Sequence, residues 1–166
     1  MRLEFDDATA SDAPAIAELR NAVAERLAAD FGEGHWSSVA TERGVIADLR
    51  HARMRIVRRK GKVIAAFKLA QKKPWAIDVK YFTPCKRPLY LTAMAVAPKL
   101  QRSGLGRLCV EEALRVAKEW PADAIRLDAY DAAAGAGGFY EKCGFTEVGR
   151  AVYRKSKLIY YEWMVP

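Results

Sequence analysis

No uninterrupted apolar run in this sequence approaches the roughly 18–20 residues that span a bilayer, and the first dozen residues are acidic rather than a basic cap on a greasy stretch. The expectation is a chain with no membrane span and no secretory leader. Cysteine is scarce as well: Cys85, Cys109 and Cys143 are odd in number and far apart, which excludes a disulfide framework and a CxxC zinc site. With only two histidines, His35 and His51, ligands for a metal are few, and none is expected. The reducing cytoplasm is the expected compartment. Internal repeats and low-complexity tracts are also missing.

What is present suits one basic globular domain spanning residues 1–166. Hydrophobic residues make up 51%, enough for a core, while 28 Lys and Arg against 20 Asp and Glu leave a net charge of +8. Leu3 and Phe5 alternate with polar neighbours as in a strand. Ser11-Asp12-Ala13-Pro14 then supplies a capping hydroxyl, an acid and an early proline, opening a helix with Ile16, Leu19, Val23 and Leu27 on one face. A weaker helix follows around Thr41 to Arg50. Arg53–Val57 and Lys62–Leu69, joined by Lys60-Gly61, predict a hairpin. The stretch from Lys72 to Pro88 holds three prolines with Trp75, Tyr81 and Phe82 and reads as a structured insertion. Its aromatics, with Trp36, either close the core edge or line a pocket.

Leu89–Ala97 is an apolar strand ended by Pro98. Ser103–Trp120 repeats Leu105, Leu108, Cys109, Ala113, Val116 and Ala117 at helical spacing. A strand at Ile125–Tyr130, a short Gly-rich helix up to Gly144, and an antiparallel pair, Phe145–Val152 and Leu158–Trp163, complete the chain. This order predicts an α/β fold with a mixed sheet and helices on both faces.

The segment that carries chemistry is Gln101-Arg102-Ser103-Gly104-Leu105-Gly106, at the mouth of the long helix. Two glycines remove the Cβ atoms that would keep a ligand from the main chain, and a helix's first turn aims unpaired N–H groups outward at its positive end. Such a turn can hold a phosphate, with Arg102 and Arg107 adding charge, or its glycines merely let a tight turn enter the helix. A Walker loop needs Gly-Lys-Ser or Gly-Lys-Thr where Gly106-Arg107-Leu108 stands, and a Rossmann fingerprint needs a glycine where Cys109 stands. Some thirty residues on comes Phe139-Tyr140-Glu141-Lys142-Cys143-Gly144-Phe145, in which Gly144 ends a short helix.

Together these two motifs resemble the GNAT superfamily of acyl-CoA-dependent N-acetyltransferases. The resemblance runs from about Leu89 to Gly149 and implies a GNAT-like, mostly antiparallel sheet of six or seven strands. It implies acetyl-CoA as co-substrate, held by Met94 and Val96 of the preceding strand and by Gln101, Arg102, Ser103, Gly104, Leu105, Gly106 and Arg107. It further implies Tyr140 as general acid to the departing CoA thiolate, a backbone N–H near Val96 facing the carbonyl oxygen, and a primary amine, small or peptidic, as acceptor. The family's common asparagine six residues before the Phe-Tyr pair is replaced by Ala133, so the Ala132–Gly138 stretch must hold ligand by backbone and shape, and its short helix should be marginal without it.

An amine of pKa near 10.4 is neutral at pH 7 in about one molecule in 2,500, a shortfall of roughly 4.6 kcal/mol that a base or a desolvating pocket must offset. Asp128, Glu33 and His35 are the candidates. A phenol near 10 facing a thiol near 8.5 leaves proton transfer from Tyr140 uphill by only about 2 kcal/mol. Cys109 and Cys143 read as small buried hydrophobes rather than nucleophiles. The basic run Arg50, Arg53, Arg55, Arg58, Arg59, Lys60 and Lys62 reads as solvated hairpin surface rather than a nucleic-acid strip. Two rival functions are a catalytically silent CoA-binding sensor and a basic nucleic-acid-binding module. The positive charge favours neutral or acidic acceptors. In relatives, Gly32–Ser38 and Tyr153–Lys157 would border the acceptor, and homodimers are common, although nothing in this sequence specifies an interface.

Overall fold

The computed structural model describes residues 3–166. They form seven strands and four helices: β1 (Phe5–Asp7), α1 (Ala13–Phe31), α2 (Glu42–Leu49), β2 (Arg53–Arg59), β3 (Lys62–Ala70), β4 (Pro88–Val96), α3 (Leu105–Glu119), β5 (Ala124–Tyr130), α4 (Gly137–Lys142), β6 (Thr146–Tyr153) and β7 (Ser156–Met164). The strands are ordered β1-β2-β3-β4-β5-β7-β6, with β4 and β5 parallel and the β1–β2, β2–β3, β5–β7 and β6–β7 pairs antiparallel. This is the mostly antiparallel α/β sheet that the sequence led us to expect. The chain divides into two compact units, residues 3–70 with 92–112, and residues 71–91 with 113–166.

In the first unit, Ala13, Ile16, Ala17 and Leu19 of α1 and Val45 of α2 bury their side chains against Met54, Ile56 and Ala66. Arg55, between Met54 and Ile56, points to the other face of β2 and there meets Glu112 of α3 at 2.9 Å. So α1 and α3 cover opposite faces of the strand. Within α1 the apolar stripe weakens, and Val23 and Leu27 are only half-buried.

The start of α1 departs from expectation. Ser11 does not cap it; a short 3₁₀ turn, Ala10–Asp12, precedes the helix, and the Asp12 carboxylate accepts from the Thr9 amide at 2.8 Å. Asp12 is also paired with Arg58, a charge partner that Ser11 cannot supply. Thr41 does cap α2, accepting from the Gly44 amide at 3.0 Å. The basic strip is corrected too. Arg55 is buried, bonded to Asp7 at 2.9 Å and to the Phe5 carbonyl at 2.9 Å, while Arg53 pairs with Asp7 and Arg58 with Asp6 and Asp12.

In the second unit, the segment 71–87 lies on one face of the sheet. Ile77 and Phe82 pack with Tyr90, Leu158 and Tyr160. Tyr161, the next residue, turns to the other face and meets α4, where Gly137 is buried against its ring. Two buried charges anchor the segment. The Arg126 guanidinium donates to the Tyr90 hydroxyl at 3.1 Å and the Thr83 carbonyl at 2.9 Å and lies 5.1 Å from the Phe82 ring. Glu162, its register partner, accepts from the Thr83 hydroxyl at 2.6 Å and amide at 3.2 Å.

Candidate functional site

In the first unit the residues expected to hold the diphosphate form one continuous turn between β4 and α3. Gln101 closes the preceding 3₁₀ turn, and its side-chain amide donates to the Val96 carbonyl at 3.2 Å, tying the loop to the strand end. The Ser103 hydroxyl donates to the Leu100 carbonyl. Arg102 (φ 63°) and Gly104 (φ 91°) are both left-handed, and this delays the helix to Leu105 rather than Ser103. The Leu108 amide donates to the Gly104 carbonyl at 3.2 Å as the helix begins. A Cβ built on Gly104 would meet nothing within 4 Å. The loop is thus open at Gly104, where the backbone conformation favours glycine. Gln101, Arg102, Ser103 and Arg107 are exposed, Gly106 is half-buried and Leu105 is buried as the helix anchor.

Met94 and Val96 sit half-buried near the end of β4. Just before them Ala93 adopts φ 53°, a left-handed residue inside a strand. Such a point redirects the backbone and interrupts regular pairing. Ala93, Met94, Trp36 and Val39 wall a cavity of about 250 Å³ whose far side is Val23 and Leu27 of α1. Its outer loop is clamped: Asn21 donates to the Ala40 carbonyl at 3.0 Å and accepts from the Ala40 amide at 2.7 Å. Leu108, expected on the buried stripe of α3, is instead 42% exposed, whereas Cys109, Ala113, Val116 and Ala117 are buried.

Tyr140 belongs to the other unit. It is half-buried, with ring centroids of Phe139, Phe145 and Tyr161 at 5.2, 5.7 and 6.4 Å. The three expected bases differ. Glu33 and His35 are exposed, while Asp128 on β5 is largely buried, and burial raises its carboxyl above the ordinary range. Tyr130 beside it is raised by burial and by the Asp128 charge. Cys109 is fully buried, which pushes its thiol up to about 12 with help from Glu112, as befits an inert core residue; Cys143 and Cys85 are half-buried. Among the described residues no three His, Cys, Asp or Glu side chains gather as a metal site, and no helix is long and apolar enough to cross a membrane.

The sequence profile of the acetyltransferase (GNAT) family matches residues 19–145. The chain belongs to the GNAT acetyltransferase family. No curated protein matches the sequence significantly. Solved structures resemble it over nearly its whole length at low identity, and they show the shared GNAT fold. The ribosomal-protein-S18-alanine N-acetyltransferase of Escherichia coli gives a TM-score of 0.73 at 16% identity, over 99% of this chain and 94% of that one. The PaiA N-acetyltransferase of Thermoplasma acidophilum, solved with coenzyme A, gives 0.74 at 12% identity over 98% and 100%. YncA of Salmonella typhimurium, solved with acetyl-CoA, gives 0.73 at 15% identity over 100% and 95%. The family match begins within α1 and ends at Phe145, taking in the 101–107 turn and the Phe139-Tyr140 pair.

Two features of this GNAT protein escape sequence reasoning. One is the left-handed Ala93, because alanine carries no preference for that conformation. The other is how the aromatic side chains of the 71–87 segment divide, with Trp75 83% exposed and Phe82 buried.

Proposed function

We propose that this protein transfers an acetyl group from acetyl-CoA to a primary amine. The observation that carries the proposal is the 101–107 turn: two left-handed residues, an open glycine and the start of a fifteen-residue helix, flanked by two arginines. These residues fit a diphosphate, which matches aligned N–H donors and planar guanidiniums in both charge and geometry. Bound acetyl-CoA supplies an acyl group already activated as a thioester, so the protein needs only to position it and to move two protons.

Asp128 is the residue that best suits the first proton. A carboxylate of raised pKa takes a proton from an ammonium more effectively than an exposed one, and burial supplies that rise here. Glu33 and His35 have no such environment. Tyr140 holds the second proton, for the departing sulfur, and the Val96 amide donates toward the carbonyl oxygen as its charge grows. The acceptor is a small or peptidic amine. We propose no nucleic-acid partner, since Asp6, Asp7, Asp12 and Glu112 occupy Arg53, Arg55 and Arg58, the three arginines at the middle of the basic strip.

The test is thiol release from acetyl-CoA across a panel of amines, peptides and polyamines. Release that saturates with at least one amine is expected. Tight CoA binding with no release by any amine would instead identify a sensor.

A further inference from the structure

The first unit holds a cavity of about 740 Å³ that the chemistry above does not use, lined by α1, the β2–β3 turn and the 3₁₀ turn Pro98–Leu100. Its walls are mostly apolar. On α1, Ala15, Leu19 and Ala22 recur at the spacing that puts them on one helix face, and the two alanines are too small to fill the space beside the sheet. Val63 of β3, Pro98 and Leu100 extend the apolar lining. The frame is fixed, because the Ala97 amide donates to the Ile64 carbonyl and the Leu100 amide to the Ala97 carbonyl, each at 2.8 Å. Among the described residues the lining includes none of the 101–107 turn, and the volume lies in the usual range of about 300–1,000 Å³ for small-molecule pockets.

The charges of the lining are of mainly one sign. Lys60, Lys62 and Lys99 are exposed at its edge, against a single carboxylate, Glu18. No acid among the described residues forms an ion pair with any of the three lysines. In this they differ from Arg53, Arg55 and Arg58 of the same hairpin, each of which is held by an acid. Lys60 also stands where the backbone does not favour it. The hairpin loop has two residues, Lys60 at φ 52° and Gly61 at φ 76°, closed by the Arg59–Lys62 pair. Both positions of such a turn are left-handed, and Asn, Asp or Gly is the usual choice at the first. The lysine is kept there against backbone preference, so its charge rather than the turn accounts for it.

An apolar cavity edged by three ammonium groups complements a molecule that is apolar along its body and negative at one end. Lysine acts as a point charge without arginine's planar fork, so a single carboxylate satisfies it. A polyphosphate fits poorly, since its charges would lie unpaired against the alanine and leucine walls.

We propose that this cavity binds a free medium-chain alkyl carboxylate, with the chain along Ala15, Leu19 and Ala22 and the carboxylate among Lys60, Lys62 and Lys99. Isothermal titration of the full chain with decanoate, decylamine and acetate tests it, with no acetyl-CoA and no turnover needed. Decanoate is expected to bind at least about tenfold more tightly than decylamine, and at least about 100-fold more tightly than acetate, the scale of burying several methylenes. The double variant Lys62→Glu with Lys99→Glu changes exposed positions only and should weaken decanoate at least about tenfold. Ala22→Leu fills the apolar wall and should do the same, with circular dichroism checking the fold of both. Saturating coenzyme A should leave decanoate bound.

No heat with decanoate, equal affinity for decanoate and decylamine, or an affinity that neither variant moves would overturn the proposal. Displacement of decanoate in proportion to added coenzyme A would assign the cavity to the cofactor and overturn it as well. Binding to phosphatidylglycerol vesicles with none to free decanoate would show attraction to a lipid surface and refute the free acid.

Discussion

Asp128 and Tyr160 stand opposite each other across the β5–β7 ladder, a carboxylate and a phenol on the same face of one sheet. Burial raises both groups, and the Asp128 charge adds to the rise at Tyr160. Tyr160 also lines the cavity beside the 71–87 segment.

Asp128→Asn should stabilise the protein while impairing it. The folded carboxyl has a raised pKa, so above the unfolded value near 3.9 the folded state holds more protons than the unfolded one, and stability falls as pH rises through the window up to the folded value. The variant lacks this loss. Its melting temperature should exceed the wild type's at pH 7.5, with the gap narrowing toward pH 4, and turnover should drop by about 10²-fold or more. A variant equally active, or less stable at pH 7.5, contradicts the role given to Asp128.

Tyr140→Phe separates acid catalysis from packing. The substitution keeps the ring among Phe139, Phe145 and Tyr161. Turnover should fall by about 10²-fold with CoA affinity unchanged. Unchanged turnover would leave the ring as packing only.

Arg55→Ala should unfold the protein more readily than any change at its exposed neighbours. It removes the guanidinium that Asp7 and Glu112 share and leaves Glu112, itself largely buried, without that partner. A loss of about 3–5 kcal/mol is expected, a melting-temperature drop of about 10 °C for a chain of this size. Denaturant titration measures it, and a loss below about 1 kcal/mol contradicts the buried pairing.

Acid should loosen the β1 edge first. Partial burial raises Asp7 and Asp12, but the arginine partners, and for Asp12 the Thr9 amide, outweigh it, so both carboxyls sit below the ordinary value of 3.8. Their contribution is complete above that value and is lost as pH falls through the lower folded values. Hydrogen exchange at pH 3 against pH 6 should show protection lost at Phe5–Asp7, whereas uniform loss over all strands contradicts the assignment.

The turn at 101–107 was legible because its backbone needs glycine: Gly104 is left-handed, and a sequence shows a glycine. The helix and strand periods were legible for the same reason, since Ile16 and Leu19, or Met54 and Ile56, must share a face. Where geometry overrides residue preference the sequence was silent. Ala93 is left-handed without being glycine or asparagine, and the β6–β7 turn places Arg154 and Lys155 at φ 48° and 68° with no turn residue at all. Arg55 reads as a solvated charge because its partners, Asp7 and Glu112, lie 48 and 57 residues away along the chain. The aromatics of 71–87 could not be sorted by pattern, because Phe82 is core and Trp75 is cavity wall only by virtue of where Thr83 is pinned to Arg126 and Glu162.

Everything functional depends on the turn at the head of α3. Isothermal titration of coenzyme A into the wild type and Gly104→Val measures it directly. The wild type should bind with measurable heat, and the variant, which forces a branched side chain into left-handed backbone on the open side of the loop, should lose at least about tenfold in affinity at a strain cost of about 1–3 kcal/mol. No heat with the wild type, or identical affinity in both proteins, would contradict the account.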